Sequence, residues 1–436
     1  MKYKIIIIVC MATLLASCVR DTENLFDKSA EGRINEAVQT YRDLLTAQTN
    51  GWIVEYYPEK TQKYGGFNLY FRFEGNQVAV RSEIDPSVSA ISTWSTGTDM
   101  GPTINFDTYN SVLHYFSDPG VPQGGGYGLN YEGDYEFVVV SGSADEFILM
   151  GKKTKNIIRM TPLPANKTAD AYFQSIDNMS RNVIAPAYKM TVNNREVTIE
   201  KTFDANAFTL TVDGETVFAP FMVTPAGIKF YQPVTILNQT LQVFTYNAAE
   251  DKIKSNQNNA EISFALTSLA NYFVDHLANM NWYFSTENMA PGSPFATAWN
   301  TAKTRLKNEL GYDLAYMWFG TFYEGLPEGL SFICFDPVTN VAYAVLYLYD
   351  FVPVGDNSIK LVYNGDLYYW GDGGLNAHYS LQDFTVTAFA GKTFTLEPDV
   401  DITNPKNMVR MKELKLIDSA NPNNWVKVGL EEVLWP

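Results

Sequence analysis

Histidine, cysteine and positive charge are all scarce in this chain. Three histidines and three cysteines occur among 436 residues, and 32 lysines and arginines face 48 aspartates and glutamates, for a net charge of −16. His114, His276 and His378 are scattered and no H-E-x-x-H is present, so a zinc centre would have to be assembled from distant residues. The acidic excess excludes nucleic acid, whose phosphates demand basic patches. It also argues against docking on anionic lipid headgroups. Long apolar runs are missing beyond the N-terminus. The longest, 341–349, is short and rich in tyrosine and reads as a strand, because a membrane-spanning helix needs ~20 apolar residues. No G-x-S-x-G nucleophile elbow is present. The glycines at 124–128 lack the third glycine of a dinucleotide fingerprint. Gly391-Lys392-Thr393 has Val386 where a phosphate loop needs glycine, and 384–389 reads as a strand.

What is present begins at the N-terminus. Lys2 and Lys4 precede an apolar run over 5–15 and then Ala16-Ser17-Cys18, the layout of a secretory signal. Leu15-Ala16-Ser17-Cys18 resembles the lipobox of bacterial lipoproteins, which implies cleavage before Cys18 and lipid attached to its sulfur. Several acyl chains make such anchoring stable, each buried methylene contributing about 0.8 kcal/mol. Removal of residues 1–17 leaves Cys334 as the one cysteine besides the acylated Cys18. No internal disulfide is then available, and a chain this long does not need one. Cys334 sits in the apolar run 330–335 and reads as a buried small hydrophobe.

The remainder predicts an α+β fold, predominantly antiparallel β, with meanders forming sandwich- or barrel-like domains and a few amphipathic helices. The expected organisation is a signal peptide over 1–17, a lipidated tether over 18–28, an N-terminal α+β domain over 29–164, a β-meander domain over 165–262 and a C-terminal α+β domain over 263–436. Ser29 caps a helix bearing Ile34, Val38, Tyr41 and Leu45 at helical spacing. Strands are expected at 52–57, 66–73, 77–80, 135–141, 146–151 and 156–160. About six more lie between Tyr188 and Tyr246, with turns at Asn193-Asn194, Asp213-Gly214 and Pro225-Ala226-Gly227. Residues 247–262 read as a polar loop. Ser293 and Pro294 open a helix carrying Phe295, Trp299, Ala302, Leu306 and Leu310, and Gly311 stops it. An internal echo links the first and third regions: a helix leading into Asn50-Gly51-Trp52, and a helix leading into Asn281-Trp282. A second echo pairs the segments 71–74 and 332–336.

Asn50-Gly51-Trp52-Ile53-Val54-Glu55-Tyr56-Tyr57-Pro58 is followed closely by Tyr64-Gly65-Gly66-Phe67-Asn68. Further along come Phe116-Ser117-Asp118-Pro119, Gly133-Asp134-Tyr135-Glu136-Phe137, Gly151-Lys152-Lys153-Thr154, Met160-Thr161-Pro162 and Val223-Thr224-Pro225-Ala226-Gly227-Ile228. On these motifs the chain resembles an uncharacterised family of domain-of-unknown-function lipoproteins of Bacteroidota. The resemblance runs well over 23–250 and loosely beyond. It implies an outer-membrane lipoprotein, periplasm-facing or exposed at the cell surface, of the kind associated with nutrient acquisition. It carries over no catalytic residue.

Candidate chemistry is sparse. Asp134 and Glu136 alternate along an expected strand, so both could face one side as the paired carboxylates of a glycosidase. Glu397, Asp399, Asp401 and Asn404 could offer oxygens to calcium, although Ile402 and Met408 break the EF-hand pattern. No other cofactor is expected. The aromatic segment through Tyr368 and Trp370 runs into a Gly-rich loop offering Asp372 and Asn376. Flat rings beside amide and carboxylate groups suit a sugar's apolar face and hydroxyl rim. The expected function is non-catalytic capture of a glycan, peptide or surface-protein partner by a membrane-anchored accessory lipoprotein. A glycoside hydrolase and a structural or adhesive surface subunit are the alternatives.

Overall fold

The period-two alternation that dominates the chain builds three closed barrels, each of eight antiparallel strands in simple meander order. The computed structural model describes residues 29–99, 101–118, 131–202, 205–277, 281–322 and 326–430. The signal sequence, the tether with Cys18 and the glycine loop at 124–128 lie outside these residues. The first barrel closes by pairing β1 (Trp52–Tyr56) with β8 (Ile157–Pro162). The second closes β9 (Ala187–Val192) on β16 (Ala260–Ala265), and the third β17 (Trp282–Met289) on β24 (Trp425–Gly429). Closure removes the unpaired strand edges that an antiparallel sheet otherwise exposes.

A helix precedes the first strand of every barrel: α1 (Ala30–Ala47), α2 (Ala169–Val183) and α3 (Leu269–Leu277). Ser29 and Thr168 cap the first two, each side-chain oxygen accepting a backbone N–H at 3.1 Å. The third barrel carries three more helices: α4 (Pro294–Arg305), α5 (Gly371–Phe389) and α6 (Pro405–Met408). The expected turns at Asn193-Asn194 and Asp213-Gly214 have positive φ at both residues, as tight hairpins of matching twist require.

An aromatic residue at the start of each barrel ties the helix down. The Trp52 indole N–H donates to the Leu45 carbonyl of α1 at 3.1 Å, and the Trp282 indole N–H donates to the Phe273 carbonyl of α3 at 3.1 Å. Both tryptophans are fully buried. In the second barrel the Tyr188 hydroxyl donates to the Val183 carbonyl of α2 at 3.1 Å. The tryptophans of the internal echo thus fall on equivalent positions, each first in the opening strand of its barrel, whereas Asn50 and Asn281 do not. The second echo does not: 71–74 ends the second strand of its barrel, whereas 332–336 ends the third strand of its own. Replacing Trp52 by phenylalanine keeps an aromatic ring in the core but removes the indole N–H and strands the Leu45 carbonyl. It is expected to cost about 2 kcal/mol, read as a lower melting temperature of the first barrel.

Barrels of eight strands have interiors just wide enough to be filled by side chains. Trp52, Phe71, Trp94, Phe137 and Phe147 fill the first, and Met190, Phe208, Phe221 and Phe230 the second. Phe284, Phe319, Phe332 and Tyr347 do so in the third, joined by Cys334, whose thiol burial pushes up to about 12.

Two sequence expectations are corrected. Residues 247–262 hold β15 (Lys252–Ser255) and the start of β16, the strands that complete the second barrel. Their inward residues Ile253, Ala260 and Ile262 are buried, but the polar run 254–259 separates them and leaves too little alternation to see. Residues 384–389 are not a strand. They end α5, whose buried Ala377, Leu381, Phe384 and Ala388 follow helical spacing.

The barrels are joined by specific contacts. Between the first and second, the Gly66 N–H donates to the Phe221 carbonyl (2.9 Å), the Asn206 N–H to the Tyr64 carbonyl (3.1 Å) and the Asn68 amide to the Val223 carbonyl (2.9 Å). Lys229 pairs with Glu55 at 2.7 Å. Between the second and third, buried Lys406 of α6 pairs with Asp251 at 2.5 Å and lies over the Tyr246 and Phe264 rings.

Candidate functional site

Filled barrels leave binding to the outer surfaces. Tyr368 and Trp370 end β21 (Ser358–Trp370), opposite Leu346 and Ala344 of β20 (Val341–Pro353), and share one strand face. Tyr368 is 44% exposed and Trp370 is half-buried. The segment after them is not the expected loop. Gly371, at φ +69°, turns the chain directly into α5. A Cβ on Gly373 would stand 2.5 Å from the Tyr343 ring, and one on Gly374 2.8 Å from the Ala344 carbonyl. Those glycines let the helix lie against β20 rather than make a turn. Asp372 and Asn376, one helical turn apart, share an exposed face of α5. The four residues therefore form two pairs on two elements, aromatic on the strand and polar on the helix.

Sequence reasoning missed the partners of Trp370. Its ring stacks on Phe322 at 4.5 Å, and Phe322 stacks on Trp318 at 5.4 Å, next to Tyr283 at 5.9 Å. The Trp318 indole donates to the Thr321 carbonyl at 3.2 Å, which fixes its ring. Trp318 comes from β18 (Asp313–Gly320) and Tyr283 from β17. The ladder thus crosses elements up to 87 residues apart in sequence, from Tyr283 to Trp370, and only the pairing of Tyr368 with Trp370 was visible along the chain. The result is an aromatic ladder on the third barrel, with Trp318 buried within it and Phe322 and Trp370 half-buried.

The other candidate carboxylates serve the fold. Asp134 precedes β6 (Glu136–Gly142) and is buried. It accepts from the Lys153 N–H (2.5 Å), the Thr154 N–H (3.1 Å) and the Thr154 hydroxyl (2.5 Å). Glu136 pairs with Lys152 at 3.1 Å. The two do not face a common space as a catalytic pair. Glu397 pairs with Lys415, Asp399 accepts from the Lys412 N–H, Asp401 from the Thr403 N–H, and Asn404 caps α6. These four are spent locally. Among the described residues no group of three His, Cys, Asp or Glu side chains is placed to hold a metal.

A cleft of about 820 Å³ opens where the three barrels meet, a size and a setting usual for ligand sites. The first barrel contributes Tyr64, Phe67 and Tyr131, with Tyr131 edge-on to Tyr64 at 4.9 Å and to Phe67 at 5.2 Å. The second contributes Lys201 and Asn206, and the third Asp275, His276 and Arg410. His276 is buried, with Nδ1 2.8 Å from the Tyr272 carbonyl. Burial lowers its pKa to about 4, so the ring is neutral at pH 7 and Nδ1 carries the proton donated to that carbonyl. Asp275 is the one carboxylate lining the cleft among the described residues.

The sequence motifs hold the first two barrels in place. Asn50 donates to the Leu163 and Pro164 carbonyls (3.0 and 2.8 Å), and Tyr57 packs on Tyr231 at 4.6 Å. A Cβ on Gly65 would stand 2.2 Å from the Asn206 carbonyl oxygen. Among curated proteins nothing matches this chain. Residues 22–248 match the model of a family described as Domain of unknown function (DUF4302). The matched region takes in the first barrel and the second through β14 (Gln239–Asn247), leaving β15, β16 and the third barrel beyond it. With more than half its length so matched, the chain belongs to the DUF4302 family.

Proposed function

We propose that the protein is an outer-membrane lipoprotein, anchored through Cys18, that captures a glycan without cleaving it. The observation that carries this reading is the aromatic ladder in which Trp370 stacks on Phe322 and Phe322 on Trp318, with Tyr283 tilted against Trp318, ending on the strand that carries exposed Tyr368 and leads into the helix bearing Asp372 and Asn376. Flat aromatic surface bordered by polar side chains suits sugar rings, which have an apolar face and a hydroxyl rim. Such a surface binds without enclosing a scissile bond. Glycoside hydrolysis needs two carboxylates roughly 5–9.5 Å apart, and among the described residues the deeper cleft is lined by one, Asp275.

Titration of the mature chain with soluble polysaccharides, followed by tryptophan emission and by assay for released reducing sugar, tests the reading. Saturable emission change without product is the expected result. Trp370→Ala and Tyr368→Ala are each expected to weaken binding about tenfold or more, as truncated aromatic anchors do. Product release, or binding unaffected by both substitutions, would overturn it. The anchor is tested separately. Cys18→Ala is expected to move the protein from the membrane fraction to the soluble fraction and to abolish incorporation of labelled fatty acid. Persistence of the variant in washed membranes would reject lipidation at that residue.

A further inference from the structure

We infer that the cleft between the three barrels is a second binding site, separate from the aromatic ladder, which takes a small organic anion, a carboxylate or phosphate group carried on a ring. None of the ladder residues lines it, so this site does not depend on the glycan reading. Arg410 brings a cation to the cleft. Its guanidinium is half-buried in the cleft wall, and among the described residues its one side-chain hydrogen bond runs from Nη1 to the Lys406 carbonyl at 3.2 Å. No carboxylate forms an ion pair with it among the described residues. Nearby Arg181 is already engaged by both oxygens of Asp177, at 3.0 and 3.2 Å. Burial, and then the charge of Arg181, lower the Arg410 pKa from its usual value, and the charge of Asp177, shared with Arg181, offsets part of that. Arginine remains charged at any physiological pH, so among the described residues Arg410 is a partly desolvated cation with no carboxylate in direct contact, Asp177 acting on it only from beyond its pair with Arg181.

An unpaired guanidinium in a low-dielectric wall is costly, and an oxyanion relieves that cost with two parallel N–H···O bonds. Lys201, in the same lining, adds a second cation. The remaining surface describes the rest of the ligand. Tyr64, Phe67 and Tyr131 offer ring faces and edges for a cyclic body, while Thr202, Asn206 and Asp275 offer polar groups for hydroxyls. Acidic sugars and sugar phosphates share that chemistry. The volume of about 820 Å³ holds one or two such rings. The wider protein is strongly acidic, so the site would select its anion at close range rather than by long-range attraction.

The experiment is calorimetric titration of the mature chain with a uronic-acid disaccharide, its neutral parent disaccharide, a sugar phosphate and inorganic phosphate, at low and high salt. The expected result is saturable binding of at least one ring-borne anion, weakened by salt, with the neutral parent at least tenfold weaker. Comparison of the uronate with the sugar phosphate distinguishes carboxylate from phosphate. Arg410→Gln is expected to weaken binding tenfold or more, Arg410→Lys to restore part of it, and Trp370→Ala to leave it unchanged. Melting curves without ligand confirm that each variant folds. Equal affinity for the neutral parent, indifference to Arg410→Gln in a folded variant, or no binding of any anion would each overturn the assignment. Loss of anion binding on Trp370→Ala would place the ligand on the ladder instead.

Discussion

Replacing Asp134 by asparagine is expected to destabilise the first barrel by about 3 kcal/mol, although the two side chains have nearly the same shape. The carboxylate is buried and accepts three hydrogen bonds, all from the turn between β7 (Phe147–Gly151) and β8. Hydrogen bonds to a charged acceptor contribute roughly 1.5–3 kcal/mol each. An amide can offer one oxygen. Its NH2 group would then face either the Lys153 N–H or the two donors of Thr154, leaving at least one buried donor opposed by another donor. The same turn places Thr154 so that its hydroxyl oxygen accepts the Asn156 N–H at 3.1 Å. Asn156 in turn donates to the Tyr57 and Glu59 carbonyls at 2.9 and 2.6 Å, so the loss spreads toward the loop facing the second barrel. Denaturant unfolding followed by tryptophan emission should show an earlier transition for the first barrel. A variant as stable as the parent would mean that the turn is held by its backbone alone. The outcome also bears on catalysis: a carboxylate acting as acid or nucleophile would lose activity on this change without losing stability.

The strands that could be located from sequence are those with several inward residues in alternation. Phe147, Leu149 and Gly151 of β7 alternate with outward residues, as do Val78, Val80 and Ser82 in β3 (Gln77–Ser82). β15 escaped because it turns a single apolar residue inward, and β16 because its inward Ala260, Ile262 and Phe264 follow directly on the polar run 254–259. The capped helix α4 was legible from Ser293 and Pro294 at its start, and Gly311, at φ +77°, ends the π-helical turn over 306–310 that continues it. α5 was not, because Gly373 and Gly374 look like turn residues and the reason for them, the Tyr343 ring and the Ala344 carbonyl, lies on another strand. The sites divide in the same way. Tyr368 and Trp370 share a face two residues apart, which is local information. Phe322 and Trp318 join them through barrel closure, and the cleft draws Tyr131, Lys201 and Arg410 from three barrels. Nothing in the spacing of those residues announces that they meet.

Glu83→Gln is expected to stabilise the protein above pH 7 by about 2 kcal/mol and to flatten its stability between pH 4.5 and 7. Glu83 Oε2 accepts from the Asn68 amide at 2.6 Å, and Asn68 is fully buried between the first two barrels. The Tyr172 hydroxyl donates to the Asn68 Oδ1 at 2.6 Å, leaving the amide one remaining donation, to Val223. Burial pushes the Glu83 carboxyl from 4.5 up to about 7, and the bond from Asn68 offsets only part of that. A raised carboxylate pKa means that the native protein holds a proton which the unfolded chain has released between pH 4.5 and 7. Stability therefore falls as pH rises through that window, and the deficit stays constant above it. Glu55 and Lys229 lie close by but pair with each other at 2.7 Å, so the Glu83 charge has no cation of its own among the described contacts. Glutamine keeps an oxygen for the Asn68 amide and has no proton to lose. Melting temperatures of both proteins between pH 4 and 9 check the prediction. The curves should meet near pH 4.5 and separate up to pH 7, with the glutamine variant higher. Parallel curves would show that Glu83 reaches solvent and that the joint between the first two barrels is wetter than its geometry implies. The same joint holds Gly65 and Gly66 against Asn206 and Met222, so a titrating group there would make the grip between the two barrels respond to pH in the range in which Glu83 changes charge.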